Sequence, residues 1–380
     1  MCIRFAAIIV LATAGLPAQD APLDTHSSIK INLAPDSPVT LLTANVGESR
    51  ATARGAALVL DLHMGLVLRN SSPNRVRGVT LRVVAQEVAL GGKASVAVPS
   101  LNVGPGEAFP VRIDVQLMRP TQTASGPLVQ VDLDGVLFQD LSFYGPNRLN
   151  SRRSLTAWEL EAQRDRQHFK NVLASTGADG LRREMLESLA RQAERPRLDV
   201  RVARGGRSVS AAAVAPLERT AEFAFLKFPD APVEPVEGWA QLTGNEARAP
   251  RIEVKNTSGK PVRYVELGWI VRDQKGQQFL AASLPASDPD LYLPPGKTGR
   301  VLQDTSLRFS HDGEPVAVQG MAGFVSQVEF ADGKVWVPNR QNLQNAMLLK
   351  VLAPSAEEQR LSDLYRKKGL NALVEELKKF

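Results

Sequence analysis

Leu58-Val59-Leu60-Asp61-Leu62-His63-Met64-Gly65-Leu66-Val67-Leu68-Arg69 is the stretch whose reading decides the fold. Leu58, Leu60, Leu62, Met64, Leu66 and Leu68 hold every even position. Successive side chains of a β-strand point to opposite faces, so this alternation puts all six on one face and predicts a long half-buried strand, with a bend allowed at Gly65. Phe109, Val111, Ile113, Val115 and Leu117 alternate in the same way around Arg112, Asp114 and Gln116, and Val79, Leu81 and Val83 give a third strand. Between them stand Asn70-Ser71-Ser72-Pro73, Gly91-Gly92 and Gly104-Pro105-Gly106, all turn chemistry. Short strands at this spacing, with no helix between them, predict an antiparallel β-sandwich.

The same order returns later in the chain. Val254-Lys255-Asn256-Thr257-Ser258 follows Leu68-Arg69-Asn70-Ser71-Ser72, and Val262-Arg263, Val265 and Leu267 follow Val76-Arg77, Val79 and Leu81. Leu284-Pro285 matches Val98-Pro99, and Leu291 with Pro295-Gly296 matches Leu101 with Pro105-Gly106. Phe330, Asp332, Trp336 and Pro338-Asn339-Arg340 match Phe138, Asp140, Tyr144 and Pro146-Asn147-Arg148, and Gly369-Leu370 matches Gly180-Leu181. Matches in one order, at an offset of about 190 residues that drifts only as loops change, predict a duplicated unit.

Each copy runs into helix. Leu155, Trp158, Ala162, Phe169, Val172 and Leu173 form one helical stripe, with Thr156 and Glu159 at the spacing of a capping box. Ser175 and Gly177 interrupt it before a second segment at 181–193. In the second copy Ser355 and Glu358 have the same capping spacing, Leu361, Leu364 and Tyr365 face inward, and Gly369 separates a last segment carrying Leu370, Leu373, Val374 and Leu377. The expected architecture is mainly β with helical tails: two antiparallel β-sandwiches, each followed by an α-helical hairpin that closes one end of a sandwich or holds the copies together. The boundaries are a signal peptide at 1–18, β-sandwich 1 at 28–150, helical tail 1 at 151–195, β-sandwich 2 at 196–345 and helical tail 2 at 354–380.

The signal is read from Arg4, the apolar run from Phe5 to Leu16, and the small residue Ala18 after Pro17. The run falls short of the roughly 20 residues a spanning helix needs. Cleavage near Ala18 removes Cys2, the only cysteine, and leaves a mature chain without a thiol. The expectation is an exported protein, periplasmic or extracellular, with no transmembrane segment. Forty-six basic against forty acidic residues give a formal charge of +6. An excess spread that thinly argues against a nucleic-acid partner.

Chemistry is sparse. His26, His63, His168 and His311 are far apart, with none at the spacing of a zinc hydrolase pair. No nucleophile elbow and no dinucleotide fingerprint occur, and Ser258-Gly259-Lys260 lacks the upstream glycines of a phosphate loop. Asp132 with Asp134 and Asp288 with Asp290 are too few oxygens for calcium, and read as turn residues. Pro229, Pro232 and Pro235, with Asp230, Glu234 and Glu237, read as an extended acidic crossing. Arg152, Arg153, Arg164, Arg166, Arg182 and Arg183 are mixed with acids and read as a solvated face. No catalytic, cofactor or metal residue is assigned. The most specific pattern places Phe138, Tyr144, Phe330 and Trp336 around tight turns, either as core aromatics pinning the last hairpin of each copy or as a platform for a glycan or peptide.

The Asn-x-Ser strand ends, the Pro-Gly turns and the Asp332-Gly333-Lys334-Val335-Trp336 hairpin resemble those of exported bacterial proteins with tandem immunoglobulin-like or fibronectin type III-like β-sandwich domains, over about residues 55–147 and 250–340. The resemblance implies immunoglobulin-like sandwiches and carries no catalytic residue. The expected function is a non-enzymatic binding or scaffolding protein of the cell envelope, its partner an envelope protein or glycan and self-association left open. The alternative is a carbohydrate-active or other hydrolase using loop carboxylates; a third reading is an envelope regulator acting through the basic helices.

Overall fold

The alternation at 58–69 forms one uninterrupted strand. The computed structural model describes residues 20–23, 27–88, 91–121, 126–196, 198–204, 219–285, 291–302 and 305–380. The expected signal and its cleavage point, His26, and the Asp288/Asp290 pair lie outside the described residues. The chain is mainly β, with several sheets and few helices. It divides into two compact units, Met1–Ser151 and Arg152–Phe380.

Unit 1 holds β1 (Asp20–Pro22), β2 (Ile29–Asn32), β3 (Val39–Asn45), β4 (Arg50–Arg54), β5 (Ala57–Asn70), β6 (Val76–Val84), β7 (Lys93–Val98), β8 (Ala108–Pro120), β9 (Val129–Phe138) and β10 (Phe143–Tyr144). The 14-residue β5 organises the first sheet. β8 pairs along one edge of it, β4 and β3 follow one another along the other, and β1 adds to β4. The second sheet runs β10-β9-β6-β7, with β2 parallel to β9. Leu60, Leu62, Met64, Leu66 and Leu68 are at most 1% exposed and share one core with Val79, Leu81 and Val83 of the other sheet. Full burial of such side chains contributes about 1.5–3 kcal/mol each. β6 is buried on both faces: Arg82, opposite the core, is covered by its contacts with Glu87 and Asp132.

In unit 2 the helix α1 (Ser151–Glu194) leads into β11 (Asp199–Arg204), β12 (Arg219–Glu222), β13 (Ala224–Leu226), β14 (Val233–Thr243), β15 (Glu246–Asn256), β16 (Val262–Asp273), β17 (Gln278–Pro285), β18 (Thr298–Leu302), β19 (Thr305–His311), β20 (Glu314–Pro315), β21 (Val318–Phe330) and β22 (Val335–Trp336). The helices α2 (Arg340–Leu343), α3 (Ala346–Val351) and α4 (Ala356–Lys378) follow. One sheet runs β11-β19-β15-β14-β12, with β18 on β15 and β20 on β19; the other runs β13-β21-β16-β17, with β22 on β21. Their apolar faces meet in a core around Trp269, Val265, Val254 and Phe309.

Taken separately, the two units repeat one pattern of pairing. β2 lies parallel to β9, and β13 parallel to β21. Tyr144 pairs with Val136, and Trp336 with Val328. The match reaches single side chains. Asn70 Nδ2 donates to the carbonyls of Asn74 (2.8 Å) and Val103 (3.1 Å), and its Oδ1 accepts from Ser72 N and Oγ. Asn256 Nδ2 donates to the carbonyls of Lys260 (2.8 Å) and Leu293 (2.9 Å), and its Oδ1 accepts from Ser258 N and Oγ. Asn70-Ser71-Ser72 and Asn256-Thr257-Ser258 have the Asn-x-Ser form of a glycosylation acceptor, but both asparagines are fully buried with their amides spent on the fold. One correspondence needs adjusting. Val98 pairs with Val79, whereas Leu284 pairs with Leu267, so Leu284 occupies the place of Val96, opposite Leu81.

The helices depart further from expectation. α1 starts at Ser151, so Thr156 and Glu159 lie inside the helix and cap nothing. Ser355 does cap α4, its side chain accepting from Glu358 N. The left-handed breaks are Gly177 (φ 70°) in α1 and Gly369 (φ 78°) in α4. Gly177 and Gly369 are as far apart as Pro146 and Pro338, so Gly177, not Gly180, is the counterpart of Gly369. The segment read as a tail of the first copy belongs with unit 2: Phe169, Leu181 and Met185 of α1 bury against Leu361, Leu373 and Leu377 of α4. Separately, each stripe is too small for a core of its own; together they make one.

Each closing hairpin carries a turn in which the fourth residue takes positive φ: Leu141 (65°) donates to Phe138 O, and Gly333 (79°) to Phe330 O. A Cβ on Gly333 would lie 2.5 Å from Arg152 Nη2. With the cost of a left-handed non-glycine residue added, Gly333→Ala is expected to lower stability by about 1–2 kcal/mol. All four tryptophans lie in unit 2, so guanidinium unfolding followed by tryptophan fluorescence reads this directly; an unchanged midpoint would refute the strain.

Candidate functional site

The polar groups of unit 2 gather where α1, α2 and α4 pack. Asn339 caps α2, accepting from Asn342 N at 3.0 Å, and so fixes the start of the helix at Arg340. Arg340 then reaches Glu358 (3.4 Å), Glu184 (3.5 Å) and Asp165 (3.6 Å). Arg164 forks onto Asp165 (2.8 and 3.1 Å) and donates to the carbonyl of Pro338 (3.0 Å). Arg166 holds Glu159 (2.6 Å) and Glu357 (3.4 Å), and Glu357 also takes Arg360 at 2.8 and 3.0 Å. Arg153 pairs with Glu329 and stacks 3.8 Å over the Tyr264 ring. His168 bonds Glu184 at 3.2 Å and, with Arg191 and Arg340 adding to it, holds that carboxyl below the usual carboxylate range. The arginines at 153, 164 and 166 are therefore internal fasteners, not a solvated face; Arg182 and Arg183 are exposed. Sequence spacing misses the network because its partners come from opposite ends of the unit.

Glu161 behaves differently. Burial pushes its carboxyl up to about 7, against the pull of Arg164 and with Asp165 and Glu266 adding to the rise. The folded chain thus keeps a proton that the unfolded chain releases near pH 4.5. The resulting stability is complete below the unfolded value and is lost as pH rises through about 7. The full shift is worth about 3 kcal/mol, and the carboxyl's remaining solvent contact trims this to about 1–2 kcal/mol. Glu161→Gln is expected to raise the melting temperature near pH 8 and leave it unaltered near pH 4. Equal shifts at both would show that the proton is not involved.

Two hollows adjoin the network. A cavity of about 50 Å3 is walled by Arg164, Ser188, Arg191, Gln192, Arg340 and Glu358, with Ser355 at the start of α4. An open cleft of about 630 Å3 is walled by Arg191, Arg195, Pro196, Gln277, Gln278 and Leu349. Arg191 and Leu349 belong to both walls. A third hollow of about 340 Å3 lies among Leu226, Phe228, Val233 and Val325, beside the Lys227–Glu234 pair.

Phe138 is buried in the core of unit 1, and Tyr144 packs against that core. Burial, together with a hydrogen bond to Asp36, raises the Tyr144 hydroxyl above its ordinary value. Phe330 and Trp336 pack against the core of unit 2. Tyr144 and Trp336 each face a valine across the ladder, Val136 and Val328. The acidic crossing at 229–238 has a definite task at Asp230, whose carboxylate takes Trp336 Nε1 (3.4 Å) and the amides of Asn339 (3.1 Å) and Asn342 (2.5 Å). Asp132 accepts from Asn32 and Arg82, and Asp134 from Arg148 N, Leu149 N and Ser151 Oγ. These two therefore tie strands and the chain exit together. His63 bonds Asp114 (3.0 Å), which raises its pKa, and His311 lies beside Phe279. Among the described residues no group of three or more acidic, histidine or cysteine side chains is placed to hold a metal ion, and no helix is long and apolar enough to cross a membrane.

No family model and no curated protein matches the chain. Solved structures it resembles include a β-glucosidase from Kluyveromyces marxianus, at 9% identity and a TM-score of 0.15, with 71% of this chain and 45% of that one covered. Another is described as pT26-6p, at 8% identity and a TM-score of 0.17, with 89% and 72% covered. This chain thus spans under half of the β-glucosidase. Likenesses this distant bear on neither fold nor activity.

Proposed function

We propose that the chain is an exported, non-enzymatic binding or scaffolding protein of the cell envelope. In this reading it arose by duplication of an immunoglobulin-like β-sandwich followed by a helical hairpin. The twin asparagine anchors and the twin strand pairings support the duplication, since a buried amide serving four hydrogen bonds is a costly feature to arrive at twice.

The open cleft beside Arg191 carries the binding reading. Its wall mixes apolar side chains, two amides, the guanidiniums of Arg191 and Arg195 and the carboxylate of Glu194, the composition of a recognition surface. Glu194 is the one carboxylate in that wall, and Glu184 and Glu358 beside it are engaged by arginines, whereas glycoside hydrolysis needs two carboxyls facing one another across a gap. One feature stands on the side of hydrolysis: burial pushes the Glu161 carboxyl up to about 7, the range a general acid uses. Glu161 lines none of the three hollows described above.

The test is affinity capture by the tagged chain from an envelope extract, with sedimentation of the chain alone. A saturable partner is expected. Repeated capture of nothing, together with a chain that does not self-associate, would overturn the proposal. Export is tested by fusing residues 1–30 to a periplasm-dependent reporter; retention of the fusion in the cytoplasm would remove the signal from the reading.

A further inference from the structure

We infer that the cavity and the cleft that share Arg191 form one site, which takes the C-terminal carboxylate of an extended peptide. This rests on the binding reading above and names its ligand class. Arg191 is the pivot. It stands in both walls, its side chain is 33% exposed, and its carboxylate contacts are all long: 3.5 Å to Glu358, 3.6 Å to Glu184 and 4.0 Å to Glu187. A close charge-assisted bond measures about 2.7–2.9 Å. A guanidinium has five donors in a planar fork that fits a carboxylate, so Arg191 keeps capacity for another.

The inner cavity suits an anion of that size. Arg164 and Arg340 in its wall are held by Asp165, Glu184 and Glu358, so the loosely paired Arg191 is the cation left to receive an anion, and the start of α4 adds the positive end of a helix dipole. Its roughly 50 Å3 admits a carboxylate head but no folded chain. The outer cleft suits the body of a peptide. Leu349, 39% exposed, and Pro196 offer apolar contact, and the side-chain amides of Gln277 and Gln278 have no partner among the described residues. Capture of a terminal carboxylate with the preceding residues laid along a cleft is a recurring mode of peptide recognition.

Two fluorescein-labelled random pentapeptide pools, one ending in a free carboxylate and one amidated, are titrated with the full chain by fluorescence anisotropy. The free-acid pool is expected to bind saturably and the amidated pool at least ten-fold more weakly. Arg191→Ala should weaken the free-acid pool at least ten-fold, and Leu349→Glu, on an exposed position, should weaken it as well. Equal binding of the two pools, no binding of either, or full binding by Arg191→Ala would overturn the site, as would inorganic phosphate displacing the peptide more effectively than acetate. Capture of an envelope partner that survives Arg191→Ala sinks this site and leaves the binding reading standing; loss of capture by the unaltered chain sinks that reading itself.

Discussion

Glu357→Ala is expected to destabilise unit 2 by about 2–4 kcal/mol, because it takes one of two carboxylate partners from a buried and from a partly buried guanidinium. Glu357 has no solvent exposure. It holds Arg360 through both oxygens and Arg166 through one. Burial alone would lower the pKa of Arg360; hydrogen bonds to Glu357 and Glu376 outweigh it and hold the value above the ordinary one. The remaining partner of Arg360 is Glu376 (2.7 Å), and Arg166 keeps Glu159 and the face of Phe380, 4.2 Å away. Neither arginine can shed its proton, so truncation leaves each charge with one carboxylate where it had two. Tryptophan fluorescence in guanidinium measures the loss, and a cycle with Arg360→Ala isolates the pair. The deficit should persist in 0.5 M salt, since buried pairs are screened much less than exposed ones. A loss below about 1 kcal/mol, or one abolished by salt, would mean the network is a surface feature.

Asn70→Ala and Asn256→Ala are each expected to cost about 2–4 kcal/mol, and to cost nearly the same. Either substitution removes four hydrogen bonds at a point with no solvent exposure. The serine N–H is left without its acceptor, while the carbonyls keep one other donor each: Val76 N and Ser72 Oγ in unit 1, Val262 N and Ser258 Oγ in unit 2. Ser72→Ala and Ser258→Ala remove only the hydroxyl's contacts, those with the asparagine and with the carbonyl of Asn74 or Lys260 among them, at partly exposed positions, and should cost about 1 kcal/mol or less. Scanning calorimetry resolves the two units if they melt separately, and hydrogen exchange assigns each loss to its own unit. Matched losses support two copies of one design. A large loss at one site and a negligible loss at the other would show that the shared sequence word serves different ends.

Much of this was legible beforehand for a plain reason. Alternation at 58–69 and 109–117 admits one solution, because moving either strand by one residue would turn a whole row of leucines or valines to water. Turn words such as Asn-Ser-Ser-Pro and Asp-Gly act within a few residues, so they too could be read without coordinates. The aromatics Phe138, Tyr144, Phe330 and Trp336 were found by their recurrence, yet their neighbours were not. Asp230 lies 106 residues before Trp336, and no local pattern links them.

The sequence by itself determined the long strands at 58–69 and 109–117 and the face each of them buries, and it carried a recurring order of turn words, since these follow from period-two hydrophobicity and short-range turn chemistry; the burial of both faces of β6 did not show in it. The tertiary structure alone decided that the helix beginning at Ser151 packs with α4, that its arginines are internal, and that Arg191 stands where two hollows meet. The physical reason is distance along the chain: charge pairing and helix docking depend on which segments the sheets bring together, and a single sequence carries no periodic signal for that.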